Sequence, residues 1–94
     1  MQNAGNGIAH RATWYYDALY GVDRKAEADA VIEMLLTLEP SAQAYVLMVG
    51  SLHRTGRLEE AAALREQGLA KLPDSSEKKR FERVTRQILA SARR

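Results

Sequence analysis

Residues able to support catalysis or metal binding are few and widely separated in this chain of 94 residues. There is no cysteine, which excludes disulfides, thiolate metal ligands and a cysteine nucleophile. The two histidines, His10 and His53, lie 43 residues apart and lack the spacing of a metal site. The sequence has no nucleophile elbow or paired-carboxylate arrangement, and the GNG at residues 5–7 lacks the lysine of a phosphate-binding loop. We therefore predict that the protein is not an enzyme and uses no cofactor or metal.

Basic side chains are concentrated towards the C-terminus. Residues 77–94 carry a net charge of +5, whereas residues 1–76 carry −3. Such a cluster can contact phosphates or an acidic partner, or it can keep the outer face of a terminal helix soluble. We favour the terminal-helix interpretation, and nucleic-acid binding is the least favoured. The candidate basic surface consists of Lys78, Lys79, Arg80, Arg83 and Arg86, followed by Arg93 and Arg94.

Four of the six aromatic residues lie within residues 14–20. Trp14 cannot share one helix face with both Tyr15 and Tyr16, so at least one of these side chains is expected at the surface. Exposed aromatic residues are favoured as anchors in protein interfaces. Trp14 and Tyr15 are therefore candidate anchors. The alternative is that Tyr16 and Tyr20 cover the open end of a helical stack.

The elements that position these residues are predicted to be helices. Apolar residues recur every three or four positions, and strand signals are nearly absent. The chain is divided into five segments of helical length by turn-forming residues at 21–23, 39–41, 55–57 and 72–75. The predicted fold class is all-α with about five helices. The last helix is expected to begin with a capping box of Asp74 and Glu77, with Ser75 or Ser76 as alternative caps.

A shift of 33 residues brings the chain into register with itself. Periods of about 20 to 50 residues are typical of helical repeat architectures. The identical pairs in this register are Leu19 and Leu52, Arg24 and Arg57, Glu27 and Glu60, Ala28 and Ala61, Ala30 and Ala63, Glu33 and Glu66, Leu36 and Leu69, and Pro40 and Pro73.

The second unit also carries a familiar pattern of residues, namely Tyr45, Met48, Leu52, Gly56, Leu58, Ala61 and Pro73. With these residues, the segment 42–75 resembles a tetratricopeptide repeat, which is a unit of two antiparallel helices. In such a unit Gly56 takes the left-handed backbone of the turn, and Ala61 permits close approach of the two helices. Pro73 stops the second helix.

The resemblance implies one domain built from repeats. We expect a degenerate repeat over residues 8–41, a repeat over residues 42–75 and a capping helix over residues 76–94. Gly68 replaces an alanine of the family pattern at some loss of helix propensity. Leu58 and Leu64 are expected to help seal the interior.

The resemblance further implies a concave groove, lined by the first helix of each pair, that usually holds a peptide or helix of a partner protein. The positions that carry over to this groove are His10, Thr13, Asp17, Tyr20, Gln43, Val46, Gly50 and His53. Some family members bind a C-terminal carboxylate through a lysine and asparagine pattern. That pattern is missing here, because Val46 and Gly50 occupy two of its positions.

Three functions are compatible with these features. The leading hypothesis is an adaptor or chaperone that binds a peptide or helix of a partner protein. The alternative is a self-associating oligomerisation module, for which a homodimer is the simplest form, and the third is a basic nucleic-acid-binding domain. In size and repeat type the chain is similar to small chaperones of bacterial type III secretion. With no secretory signal or membrane-spanning segment in the sequence, a cytoplasmic location without membrane insertion is expected.

Overall fold

The computed structural model describes residues 4–91, with side chains from residue 9 onward. This part of the chain contains five helices and no strand, which confirms the predicted all-α fold class. The helices are α1 (Ala4–Gly21), α2 (Lys25–Leu38), α3 (Ala42–Arg54), α4 (Leu58–Lys71) and α5 (Ser76–Ala90). None of these five helices combines the length and the apolar character needed to cross a membrane.

Two helical hairpins, α1–α2 and α3–α4, turn with the same backbone geometry. In each turn, the N–H of the arginine that follows donates to the carbonyl five positions earlier, at 2.8 Å for Arg24 and 2.9 Å for Arg57. The residue before each arginine has a left-handed backbone, with φ 67° at Asp23 and φ 81° at Gly56. Glycine adopts this conformation without steric cost. The expected role of Gly56 is confirmed, and the 33-residue repeat extends to the hydrogen bonds of the turns.

Serine side chains cap the first turns of α3 and α5. The hydroxyl of Ser41 accepts from the backbone N–H three residues later at 3.2 Å, and that of Ser75 does the same at 3.3 Å. Because Ser75 has the extended backbone of an N-cap and its hydroxyl accepts the hydrogen bond, the predicted capping box of Asp74 and Glu77 is wrong. The alternative cap at Ser75 is confirmed.

Helix α3 lies at the centre of the fold. It packs against α4 within its own hairpin, against α1 on one side and against α5 on the other, and it also touches α2. Helices α1, α3 and α5 therefore lie side by side, in the order expected for stacked helical pairs. One core joins all five helices and contains Ala9, Ala12, Tyr16, Ala28, Ile32, Leu35, Ala44, Tyr45, Met48, Val49, Leu52, Ala61, Leu64, Leu72 and Phe81.

The first position of α4 does not contribute to this core as expected. Leu58 is 43% exposed, because the hairpin turn leaves the start of α4 open, so the prediction that it seals the interior is wrong. Leu64, two turns further along the helix, is buried as predicted. Ala61 between them is fully buried, in agreement with a small residue at a close helix approach.

A close contact between α4 and α5 is made possible by Gly68. A Cβ atom at this position would lie 2.8 Å from Cζ of Phe81 and 3.1 Å from Cδ1 of Tyr45. The two rings are almost completely buried and meet edge to face, with centroids 6.1 Å apart. The missing side chain therefore provides the space in which Phe81 docks α5 against the α3–α4 hairpin.

A buried polar contact also joins α4 and α5. The Arg65 side chain is only 15% exposed, and its Nε donates to the hydroxyl of Thr85 at 2.8 Å. Thr85 is fully buried and donates in turn to the carbonyl of Phe81 at 2.7 Å. The polar atoms at this contact are thus paired, as burial requires.

Candidate protein-binding groove

A cleft of about 500 Å³ lies between the N-terminal halves of α3 and α5. Its apolar base is formed by Val46, Phe81 and Val84, and exposed Gln43 and Arg80 stand at its rim. No residue of α4 lines the cleft, so it opens on the side of α3 and α5 that α4 does not cover. An apolar base with a polar rim is the usual anatomy of a site that receives side chains of a binding partner. The complete lining consists of Glu39, Ser41, Ala42, Gln43, Val46, Glu77, Arg80, Phe81 and Val84.

Positive charge follows this cleft along α5. Within residues 9–91, Lys79, Arg80 and Arg83 form no ion pair with a carboxylate, whereas Arg86 has one partner, Glu82, at 4.0 Å. A second depression of about 540 Å³ is lined by five residues, namely these three cations together with Ser76 and Glu77. These cations form no ion pair and outnumber Glu77, so the depression favours an acidic partner, while the cleft itself is also lined by Glu39 and Glu77.

Two of the eight predicted groove residues, Gln43 and Val46, line the cleft. On α1, His10 is exposed, and the hydroxyl of half-buried Thr13 donates to the His10 carbonyl at 2.6 Å within the same helix. The structure therefore brings together the predicted groove residues at the start of α3, while those of α1 lie apart from the cleft.

An ion pair joins α1 to the C-terminal end of α3. Nη2 of Arg54 donates to both carboxylate oxygens of Asp17, at 2.8 and 3.0 Å, and both side chains remain about half exposed. Nearby on α3, a Cβ at Gly50 would have no atom within 4 Å among the described residues, apart from the backbone of its own helix. His53 is half-buried, and its Nε2 has no hydrogen-bond partner within the described residues.

Tyr20 belongs to a cluster around Arg57 that sequence analysis did not identify. The Arg57 side chain is only 8% exposed and donates to carboxylate oxygens of Asp29 at 2.6 Å and Glu60 at 2.5 Å. It also donates to the hydroxyl of Tyr16 at 3.2 Å, and its guanidinium carbon lies 5.6 Å from the centroid of the Tyr20 ring. The hydrogen bonds to Asp29 and then Glu60 raise the pKa of Arg57 above its ordinary value. This permanent cation ties the turn of the second hairpin to both helices of the first.

The aromatic residues of α1 divide into two groups. Trp14 is 77% exposed and Tyr15 is 62% exposed. Tyr16 is fully buried, its hydroxyl lies 2.9 Å from that of Thr55, and its ring stacks on Tyr20 with centroids 5.8 Å apart. Tyr16 and Tyr20 therefore lie against the α3–α4 turn and do not cover an open end of the stack, because the Arg57 cluster holds them there.

The predicted basic residues from Lys78 to Arg86 all lie on α5, and among them Arg80 lines the cleft. Arg93 and Arg94 lie outside the described residues. Val84 and Phe81 were missed as cleft residues. Their spacing of three on an apolar helix face was visible in the sequence, but that signal does not reveal that α5 lies beside α3.

No protein-family model matches the chain, and neither a curated protein nor a solved structure has significant similarity to it. The membership in the tetratricopeptide family therefore stays a prediction. Within the described residues, no cluster of three or more histidine, aspartate or glutamate side chains is placed to hold a metal ion.

Proposed function

We propose that the protein acts as an adaptor or chaperone by binding a peptide or helix of a partner protein on the face formed by α1, α3 and α5. The observation that carries this proposal is the cleft of about 500 Å³ between α3 and α5. Val46 and Val84 are only half-buried at its base, so apolar surface is available to a partner side chain. A partner that inserts an apolar residue there removes this surface from water.

The charges around the cleft define the second feature of the partner. Lys79, Arg80 and Arg83 line the depression next to the cleft and have no ion pair within residues 9–91. Acidic residues that flank the inserted apolar residue would meet these cations and speed association. The proposed ligand is therefore an amphipathic segment with acidic residues beside an apolar anchor.

Gly50 supports the use of the same face. A glycine in a helix interior lowers stability by about 1 kcal/mol relative to alanine. Within the described residues, no atom outside the backbone of its own helix lies within 4 Å of a Cβ built there, so packing does not require its small size. A glycine without an internal packing reason is consistent with close approach of another backbone, in this case that of the bound partner.

The proposal is tested by filling the cleft without disturbing the core. Gln43 is exposed at the cleft, so Gln43→Trp places a large side chain into the space that the partner would use. Gln67→Trp makes the same change at an exposed site on α4 and serves as the matched control. The wild-type chain and the control are expected to capture the same proteins from the source cells. Gln43→Trp is expected to capture about one tenth of the amount of each.

The charge requirement has its own pair of variants. Arg80→Glu reverses a cation at the cleft, and Lys25→Glu reverses an exposed cation at the start of α2. We expect Arg80→Glu to weaken capture of the same proteins and Lys25→Glu to leave it unchanged. Circular dichroism establishes that each variant is folded. Equal capture by Gln43→Trp and Gln67→Trp, with all variants folded, would show that the cleft is not the binding site.

A further inference from the structure

A second exposed surface lies on the side of the first hairpin that faces away from α3. We call it the α1–α2 outer face and define it by Arg11, Tyr15, Met34 and Leu38, which surround a pocket of about 170 Å³. Tyr15, Met34 and Leu38 are 62%, 52% and 65% exposed. Large apolar side chains that cluster in this way on a soluble domain mark an interaction surface.

The internal repeat indicates what kind of structure covers this face. In the 33-residue register, Tyr15 corresponds to Met48 and Arg11 corresponds to Ala44. Both residues of the second unit are fully buried, because α3 packs against other helices on several sides. On α1 the first hairpin therefore repeats positions that are buried on α3, but here they are exposed; Gln67 and Lys71, the counterparts of Met34 and Leu38 on α4, are exposed in the second hairpin as well. A helical hairpin is the occupant whose shape matches such a face.

The charges of this chain decide which of its faces can provide that hairpin. At the opposite end of the stack, α5 exposes Lys79, Arg83 and Arg86 against two exposed carboxylates, Glu77 and Glu82, so Arg11 would face mostly like charges there. Stacking of one end on the other would also produce an open chain of subunits. The same face of a second copy avoids both problems.

We propose that the α1–α2 outer face binds the same face of a second copy of this chain, which gives a two-fold symmetric dimer. Arg11 is one helical turn before Tyr15 on α1, and Glu27 is two turns before Met34 on α2. Because the two helices are antiparallel, Arg11 and Glu27 lie at opposite ends of the face, about 17 Å apart. A two-fold axis through its centre places Arg11 beside Glu27 of the partner subunit, and the contact occurs twice.

The electrostatic state of these residues allows this contact. Glu27 is 58% exposed, and its one ion pair within the described residues is with Arg24 at 3.4 Å. Arg11 is exposed and has no carboxylate partner within the same residues. An exposed ion pair contributes little. Glu27 therefore loses little when it turns to a new partner.

The size of the face sets the expected affinity. The exposed parts of Tyr15, Met34 and Leu38 with their polar rim amount to roughly 500 Å² per copy, since one aromatic side chain alone buries about 150–250 Å². A dimer would bury roughly 1,000 Å² in total, which is near the lower limit for a specific interface. We therefore expect micromolar dissociation, with monomer and dimer both present at accessible concentrations.

The test is sedimentation equilibrium of the full chain from about 5 to about 200 µM. The wild-type chain is expected to be dimeric at the upper end of this range. Leu38→Asp places a charge in the face at a side chain that is already 65% exposed, and we expect dimerisation at least tenfold weaker. Leu58→Asp makes the same change at the exposed start of α4 and is expected to dimerise like the wild type. A wild-type chain that stays monomeric at 200 µM, or that forms larger assemblies, overturns the proposal.

A charge exchange tests the two-fold register and separates it from a general loss of apolar contact. Arg11→Glu and Glu27→Arg each bring like charges together at both ends of the interface, so each alone is expected to weaken the dimer. The double variant restores opposite charges and is expected to regain most of the wild-type affinity. Dimerisation that is insensitive to Leu38→Asp, or a double variant no better than the single ones, overturns the proposed arrangement.

Discussion

Two glycines inside helices are expected to respond to the same substitution with opposite sign. Alanine in place of glycine gains about 1 kcal/mol of helix propensity at either site. At Gly50 no atom of the residues that the structure describes, other than its own helix backbone, lies within 4 Å of the new Cβ, so the gain is expected in full. At Gly68 the Cβ would be 2.8 Å from Phe81 and 3.1 Å from Tyr45, and both side chains are too deeply buried to withdraw freely. Overpacking of this kind typically costs about 1–3 kcal/mol.

The balance of these terms makes Gly50→Ala more stable than the wild type by about 1 kcal/mol and Gly68→Ala less stable by about 1 kcal/mol. For a domain of this size, each change corresponds to a shift in Tm of about 4–8 °C. Urea and thermal unfolding followed by circular dichroism measure both values. A smaller side chain at position 81 should relieve the strain. Phe81→Leu is therefore expected to lower the free energy of unfolding less in the Gly68→Ala background than in the wild type.

The reasoning would be refuted by a Gly68→Ala variant that is more stable than the wild type. Such a result would mean that Phe81 does not dock α5 through the space at position 68. A Gly50→Ala variant with lowered stability would show instead that Gly50 has a role within the fold, and it would remove one support for the proposed partner-binding face.

Three further predictions follow from the described contacts. Arg57→Met is expected to cost about 2 kcal/mol, against less than about 0.5 kcal/mol for Arg24→Met, because the first arginine is buried among hydrogen-bond acceptors and the second is exposed. Folding raises the pKa of Arg57, so the stabilisation that its charge provides is fully present below the ordinary arginine pKa. This stabilisation is lost only as the pH rises from that value through the raised pKa. The difference in free energy of unfolding between the wild type and Arg57→Met should therefore be constant from about pH 7 to about pH 10. A difference that changes with pH in this range would contradict the prediction. Ser75→Ala is expected to lower the free energy of unfolding, measured with urea, by about 1 kcal/mol, and Asp74→Ala is expected to leave it nearly unchanged. Equal decreases for the two variants would argue against Ser75 as the cap. Trp14 is 77% exposed, so its fluorescence should resemble that of tryptophan in water and be readily quenched by iodide; protection from iodide would contradict this exposure.

The positions of the helices could be predicted because breakers and periodicity act locally. Gly56 and Pro73 interrupt the chain at the places where α3 and α4 end, and the apolar spacing between them has the helical period. The cap of α5 was left open among Asp74, Ser75 and Ser76, since all three have suitable side chains. Only the backbone conformation distinguishes among them.

The candidate site was harder to predict, because it depends on which helices are neighbours. Val46 was expected to line a groove, but its cleft partner Val84 belongs to a helix for which capping was the favoured role. Arg57 was paired with Arg24 by the repeat, yet one is buried and the other exposed. The sequence contains the same residue at both places, and only the second has a preceding hairpin to contact.

The Arg57 cluster has a consequence for how the two hairpins unfold. In a stack of repeats, cooperativity comes from the contacts between neighbouring units. Here the guanidinium belongs to the second hairpin, while Tyr16 and Asp29, two of its hydrogen-bond acceptors, belong to the first. Opening the first hairpin therefore exposes a buried charge of the second. This linkage makes separate fraying of the first hairpin unfavourable and couples the two hairpins into one unfolding unit, although each is closed by its own turn.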